Sequence, residues 1–347
     1  MTEASAVFPD NHHRWAVILA GGDGIRLRPL TQLACGDNRP KQFCPLLGGQ
    51  TLLAQTQRRI SGTIPSDRVL FALTKKHEPF YTKALGKVPA ARKIVQPANR
   101  GTLPAILWSL LRVVRLDRQA VVAFLPSDHH FADESGFATA LNSSFAHAEA
   151  KRGSVVLLGA AANRPETEYG WIEPETASGG NWGDGASVVK RFWEKPSEQI
   201  AQRLFAQGCL WNTFVMVGTA DALLGMVRRA SPAICQAFEE LLRNVDLVGE
   251  EVRMQPLYTH LSASDFSKEV LSVRTSELAV TSCGDIGWSD LGDPRRFVAA
   301  LSSSGMEIPC NLARFCDECS SQPKRVATLP EDYAPPSSGA QLLHQPI

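Results

Sequence analysis

The sequence has no apolar run near the roughly 18 residues that a membrane-spanning helix needs. Its first segment, MTEASAVFPDNHHR, carries acids and no long apolar stretch of the kind a secretory leader has. A cytoplasmic protein without a membrane partner is the expectation. Neither sign of charge is in excess: 36 Lys and Arg against 35 Asp and Glu leave a formal charge of +1. No overall field therefore favours nucleic acid, and any polyanion must be met by a local cluster. The eight cysteines are scattered, which excludes a dense disulfide framework and predicts mostly buried or free thiols in a reducing compartment. Cys316 and Cys319 form a CxxC with Cys310 upstream, but neither a second pair nor a ligand histidine follows, so a four-ligand zinc site is not expected. No internal repeat is present, in particular no run of hexapeptide turns.

What is there is enough for a proper core: 347 residues, 44% of them hydrophobic. Apolar, β-branched runs at Trp15 to Ala20, Val69 to Leu73, Lys93 to Val95, Ala120 to Leu125 and Val155 to Gly159 read as strands. Between them, Leu52 to Ile60, Thr102 to Val114 and Phe137 to Ala150 carry helical spacing, so this half predicts βα units around a parallel sheet. Ligands bind such sheets outside the carboxyl ends of the strands. From 164 to 217 the rhythm breaks into short segments, with a hairpin tip expected at SGGNWGDG (178–185) and the whole region expected to fold over the sheet edge. Helical patterns return at Ala220 to Arg229, Pro232 to Arg243 and Pro294 to Leu301. From 302 to 347 the Ser- and Pro-rich sequence predicts a flexible or loosely docked tail after a domain spanning 14–301.

The segment LAGGDGIRLRP, Leu19 to Pro29, falls just after the first strand. Gly21, Gly22 and Gly24 let backbone N–H groups approach an anion, and Arg26 and Arg28 supply charged donors. Neither GKS nor GKT follows, so this is not a P-loop; Leu27 stands where a dinucleotide fingerprint wants its third glycine, which disfavours a dehydrogenase. Read with RPKQF at Arg39 to Phe43, the loop resembles the signature of the nucleotide-sugar pyrophosphorylases, and the PKQF form is most similar to mannose-1-phosphate guanylyltransferases. Further matches follow in order: QPANRGTLPAI from Gln96, LPSDHHFAD from Leu125, RPETEYGWIEP from Arg164, FWEKP from Phe192, LWNTFVMVG from Leu210 and GWSDLGDP from Gly287.

The resemblance implies a Rossmann-like α/β fold with a mixed, mostly parallel sheet of the nucleotide-diphospho-sugar transferase (GT-A-like) type, the 164–217 region being the inserted sugar-binding part. It implies attack by a sugar 1-phosphate, mannose 1-phosphate foremost, on the α-phosphorus of GTP, giving GDP-mannose and pyrophosphate. By the same resemblance Leu19, Ala20, Gly21, Gly22, Gly24, Gln96, Arg100, Gly101 and Thr102 bind the nucleotide, Arg26 the triphosphate, and Lys41 the phosphates near the reaction centre. Gly170, Glu194, Lys195 and Asn212, with Glu166, would meet the sugar phosphate. Asp128 and Asp290 would hold Mg2+, and Asp128 ends a strongly apolar strand, where a carboxylate is costly unless paired or bound to a cation. Asp290 also reads as a helix N-cap. His129 is expected to organise hydrogen bonds rather than bind zinc, the His129–His130 pair lacking a third ligand at metal spacing, and Asp133 reads as a helix cap or a further polar contact.

The chain departs from the commonest family pattern at Ile25, Glu168 and Thr213, which bear on the sugar pocket, and at Gln96. Guanine offers two donors, for which a carboxylate is the more natural complement, so with glutamine a uridylyl or thymidylyl transfer also stands open. A regulatory subunit that binds nucleotide sugars without turnover is the alternative from another class. Without a repeat domain for assembly, a monomer or homodimer is expected.

Overall fold

A computed structural model of the chain describes residues 11–46, 49–175, 185–243, 245–247 and 249–303. The expected hairpin tip (apart from 185), the tail from 304 on, and Cys310, Cys316 and Cys319 lie outside these residues. The first half follows the predicted βα rhythm: β1 (Arg14–Leu19), α1 (Arg28–Cys35), α2 (Leu52–Ile60), β2 (Val69–Thr74), α3 (Glu78–Ala84), β3 (Lys93–Gln96), α4 (Thr102–Leu116), β4 (Val121–Pro126), α5 (Glu134–Ala150) and β5 (Val155–Ala161). Local chemistry sets the helix starts. Thr51 caps α2 by accepting the Ala54 N–H, and Asp133 caps α5 by accepting that of Gly136.

The second half comprises β6 (Gly170–Pro174), β7 (Ser187–Glu194), α6 (Glu198–Ala206), β8 (Leu210–Thr219), α7 (Ala220–Ala230), α8 (Pro232–Leu242), α9 (Glu250–His260), β9 (Leu278–Ser282) and α10 (Pro294–Ser303). All nine strands form one mixed sheet in the order β3-β2-β1-β4-β8-β5-β9-β7-β6. β3, β2, β1 and β4 are mutually parallel, as are β5 and β9, whereas β8 runs antiparallel to both β4 and β5. This corrects the expectation that 164–217 folds over the sheet edge. β6 and β7 do lie at the edge, but β8, LWNTFVMVGT, is apolar on both faces and sits at the centre.

Side chains of β1 alternate between two cores: Trp15 and Val17 pack with α4, α7, α8 and α9, and Ala16 and Ile18 with α2, α3, α5 and α6. A third cluster joins Leu27 and Leu30, at the exit of the glycine loop, to Leu291 and Phe297 at α10. Cys209, Cys235 and Cys283 are buried free thiols as expected, but Cys35 and Cys44 are joined in a disulfide, which the scattered spacing did not foretell. Among the described residues no helix is long and apolar enough to cross a membrane.

One buried ionic cluster fixes α9 to α4. Glu250, fully buried, accepts from Trp108 Nε1 at 2.7 Å, from Arg112 Nε at 2.7 Å, and from Arg115. Removing one partner of such a group leaves uncompensated buried charge. Glu250→Ala is expected to lower stability by roughly 3–5 kcal/mol in urea denaturation. A loss below about 1 kcal/mol, the range of an ordinary surface change, would contradict the assignment.

Candidate active site

The carboxyl ends of β1, β3 and β4 open into a cleft of about 420 Å³ whose wall includes Leu19, Gly21, Gly22, Gln96, Gly101, Thr102, Asp128, Gly170, Glu194, Asn212 and Asp290. A second recess of about 360 Å³ shares Asn99 and Asp128 with it and adds Gly24, Arg26 and Lys41. The placement follows from the parallel strands, which deliver their following loops to one edge of the sheet.

The glycine loop is held from three sides. The Ala20 N–H donates to the Ala72 carbonyl at 2.8 Å, continuing the β1–β2 pairing, and Thr74 Oγ1 donates to the Gly21 carbonyl at 2.9 Å. Gln42, buried beneath the loop, spends its side-chain amide on the carbonyls of Ala20 (3.0 Å) and Gly22 (2.9 Å). Asp23 is tied down by Asn99 Nδ2 at 3.1 Å, His77 Nε2 at 3.2 Å and Lys76 Nζ at 3.4 Å. Burial would raise the Asp23 carboxyl, but these partners outweigh it and hold it below its usual range. Gly24 adopts φ 57°, a left-handed turn that a side chain would strain, and it lies against the Lys41 backbone. The carbonyls of Ala20, Gly21 and Gly22 are thus engaged by side chains, and Gly21, Gly22 and Gly24 line the two recesses.

Lys41 is almost fully buried, and its ammonium reaches across the fold. It meets Asp128 Oδ2 at 3.2 Å and donates to the backbone carbonyls of Asp290 and of Leu291, the latter at 3.1 Å. Asp128 through its carboxylate and Asp290 through its backbone carbonyl therefore meet one ammonium at the cleft. They are not equally open. Asp290 accepts from the Tyr169 hydroxyl at 3.1 Å and the Gly292 N–H at 2.8 Å, and Arg296 Nη1 lies 3.0 Å from its Oδ2. Burial would raise the Asp290 carboxyl, yet Arg296, His129 and Lys41 keep it below the usual carboxylate range. The α10 cap is Asp293, whose Oδ1 accepts from the N–H groups of Arg295 and Arg296, so the capping role falls to that residue rather than Asp290. His129 meets the Thr213 carbonyl through Nδ1 at 3.1 Å and faces Asp128 through Nε2 at 4.0 Å. Burial pushes its pKa down, which favours a neutral organiser. His130 bridges through its backbone to Ser289, pinning the strand end of Asp128 beside the Asp290 segment.

Elsewhere in the cleft lining, Gly170 lies against Glu194 and Asn212. Burial, with Asp265 nearby, raises the Glu194 carboxyl against the pull of Lys195. Lys195 itself is exposed at the rim and does not contribute to the wall of either recess. Among the described residues, the three non-glycine positions with left-handed backbone are Lys195, Phe214 and Leu291. Each lies one or two residues beyond Glu194, Asn212 or Asp290, and strained backbone gathers where a site dictates the direction of a side chain. Arg26 is exposed at the mouth, 3.7 Å from Glu168, the departure from the family pattern. Glu166 is engaged by Arg164 at 3.2 Å and Arg296 at 3.4 Å. Arg100 turns its Nε to the Tyr258 carbonyl at 3.0 Å. Gln42, Asp23, Asn99, Tyr169 and Arg296 had no assigned role from the sequence, although all but Arg296 sit inside quoted motifs.

Comparison with known proteins matches residues 15–304 to the family described as "Nucleotidyl transferase". The chain belongs to the nucleotidyl transferase family. It is similar to the "Xanthan biosynthesis protein XanB" of Xanthomonas campestris pv. campestris, 31% identical over 280 residues that make up 80% of this chain and 57% of that one. The "Mannose-1-phosphate guanylyltransferase" of Escherichia coli is 30% identical over 283 residues, 80% of this chain and 58% of that one. The chain thus spans less than two thirds of the length of these curated relatives. Among solved structures, one described as a "mannose-1-phosphate geranyltransferase" from Thermus thermophilus superposes with a TM-score of 0.70 at 29% identity, covering 86% of this chain and 80% of that one. The Rossmann-like mixed α/β nucleotidyltransferase fold expected from the motifs is therefore the one observed.

If Gln42 sets the loop, Gln42→Ala should raise the Kd for a nucleoside triphosphate about tenfold, the order expected for two lost hydrogen bonds. Isothermal titration checks it. An unchanged Kd in a folded variant would remove Gln42 from the site.

Proposed function

We propose that the chain is a sugar-1-phosphate nucleotidyltransferase that joins mannose 1-phosphate to GTP, giving GDP-mannose and pyrophosphate. The observation that carries the reading is the convergence of Lys41, Asp128 and the Asp290 segment beside a glycine loop at the strand ends. Such a reaction needs no protein nucleophile. It brings several negative charges together, and catalysis consists of positioning and of charge stabilisation.

In this reading an oxygen of the sugar 1-phosphate attacks the α-phosphorus, the new P–O bond forms, and the bond to the β-phosphate breaks with pyrophosphate leaving. Arg26 and the backbone N–H groups from Gly21 to Gly24 hold the β- and γ-phosphates. Lys41 neutralises charge at the α-phosphate. Gln96, Gly101 and Thr102 receive the base and ribose, with Arg100 beside them. The GT-A-like arrangement would have residues 164–217, within a catalytic unit of 14–301, supply the sugar side. There Glu194 accepts sugar hydroxyls, Gly170 and Asn212 fit the ring, and Lys195 swings its charge from the rim to the sugar phosphate.

Asp128 and Asp290 would hold Mg2+. Both carboxylates line the cleft and give hard oxygens of the kind it prefers; among the described residues no group of three or more His, Cys, Asp or Glu supplies a fuller protein ligand set. The remaining ligands would then come from phosphate and water, as Mg2+ prefers. When bound, the ion would offset phosphate charge as a Lewis acid. Asp128, paired with Lys41, is the more open ligand, since Asp290 is already shared by Arg296 and Tyr169.

The relative named for mannose-1-phosphate guanylyltransferase supports this sugar and this base. Gln96 keeps UTP and dTTP in contention, because uracil and thymine also present a carbonyl beside an N–H. A panel of GTP, UTP, dTTP and ATP with mannose 1-phosphate, read by pyrophosphate release, tests the proposal. GTP should be preferred, and Asp128→Ala should lower its turnover by roughly a hundredfold or more while the protein stays folded. Turnover with UTP or dTTP alone would overturn the base, and no turnover with any triphosphate would overturn the activity.

A further inference from the structure

Each of the two acids in the cleft already has a base of its own. Asp128 meets Lys41 at 3.2 Å, and Arg296 reaches both oxygens of Asp290, its Nη1 lying 3.1 Å from Oδ1 and 3.0 Å from Oδ2. Arg296 is 8% exposed, and its guanidinium is fixed from several sides. It lies over the Tyr169 ring, 4.5 Å from the centroid, while Asp293 holds Nε at 3.2 Å and Glu166 holds Nη2 at 3.4 Å.

These contacts limit what Asp290 can offer. Its Oδ1 accepts from the Tyr169 hydroxyl, the Gly292 N–H and Arg296, which exhausts the two lone pairs of one oxygen. Among the described residues Oδ2 has Arg296 as its partner, so one direction at one oxygen is left for a cation. The charge is limited in the same way. Two carboxylates beside two fixed bases present no net negative charge to a divalent ion, and among the described residues no group of three or more His, Cys, Asp or Glu supplies a fuller ligand set. A hard cation held by one or two carboxylates completes its shell with phosphate oxygens and water. A triphosphate brings both the oxygens and the negative charge that the protein withholds.

We propose that Arg296 is a positioning residue for cation loading: by balancing the charge of Asp290 and leaving it a single available oxygen, it makes uptake of a divalent ion conditional on the nucleoside triphosphate. Arg296 does not take part in the transfer. It keeps the acid pair from taking the ion alone, and by linkage the ion then strengthens nucleotide binding by the same factor as the nucleotide strengthens that of the ion. The inference rests on the reading that Asp128 and Asp290 are the ion's ligands.

The test measures Mn2+ binding to the nucleotide-free full chain, from the paramagnetic resonance of the unbound ion, in the wild type, Arg296→Met and Arg296→Lys, with a thermal melt to check the fold. Methionine removes the charge, and the Mn2+ Kd should fall roughly tenfold or more, the scale on which an adjacent arginine alters the proton affinity of a carboxylate. Lysine keeps the charge and should keep the Kd near that of the wild type. Arg296→Gln, which removes the charge but retains an amide donor, serves the same comparison if the methionine variant melts early. Because losing Arg296 also releases Glu166 and Asp293, Asp128→Asn is added to Arg296→Met and should abolish the gain. An unchanged Kd in the folded uncharged variant, a Kd equally low with lysine, or a gain that survives Asp128→Asn overturns the proposal. The reading beneath it has its own measurement. With GTP present, the wild type should enhance water-proton relaxation by Mn2+, and Asp128→Asn and Asp290→Asn should each remove the enhancement. If the enhancement persists in both, the assignment of the acids to the ion falls. If it depends on them while Arg296→Met leaves the Mn2+ Kd unchanged, the role of Arg296 alone falls.

Discussion

A single buried ammonium organises this site. Lys41 joins the carboxylate at the end of β4 to the backbone of a segment 249 residues away in sequence. A lysine buried to this degree is costly without anionic or carbonyl partners around it. Its environment therefore obliges the Asp128 and Asp290 segments to approach each other. Everything proposed for phosphate chemistry depends on that approach: a buried cation, two acids in the lining of the cleft and a glycine loop in the same recesses. Preorganisation of this kind is what a reaction without a protein nucleophile needs, because the charges do not have to be gathered at the moment of transfer.

The supports behind the site divide it into two halves with different rigidity. Beneath the proposed nucleotide side, Gln42, Thr74 and the Asp23 network hold a loop whose glycines leave it little stiffness of its own. The Glu250 cluster and α9 brace the far end of the same side. At the mouth, by contrast, the contacts are exposed. Arg26 and Glu168 face each other at 3.7 Å, and a pair so solvated contributes little to stability. Under the proposed function, incoming phosphates would replace Glu168 as the partner of Arg26 at small cost.

The parts legible in the sequence were those in which local order carries the information. Parallel strands announce themselves as apolar runs, and their loops must emerge at one edge; hence Gly21, Lys41, Asp128 and Gln96 could be placed together from motifs alone. β8 was misplaced because an apolar strand carries no mark of which neighbours it will join, and antiparallel insertion between β4 and β5 is a tertiary choice. The disulfide between Cys35 and Cys44 was hidden for a similar reason, since spacing alone does not say that the cysteine ending α1 meets one 9 residues on. Tyr258 and Arg296 were silent because their value lies in partners remote along the chain: 162 residues separate Tyr258 from Gln96, whose Oε1 lies 3.1 Å from its hydroxyl. Neither belongs to a motif whose chemistry is visible without the fold.

The central claim is that Lys41 supplies the charge on which phosphoryl transfer turns. Its most direct measurement is the reverse reaction, formation of GTP from GDP-mannose and labelled pyrophosphate, in the wild type and in Lys41→Met. The account predicts a fall of about a thousandfold in rate with the fold retained, the scale of losing a charge-stabilising group. A variant that keeps most of the wild-type rate would contradict it.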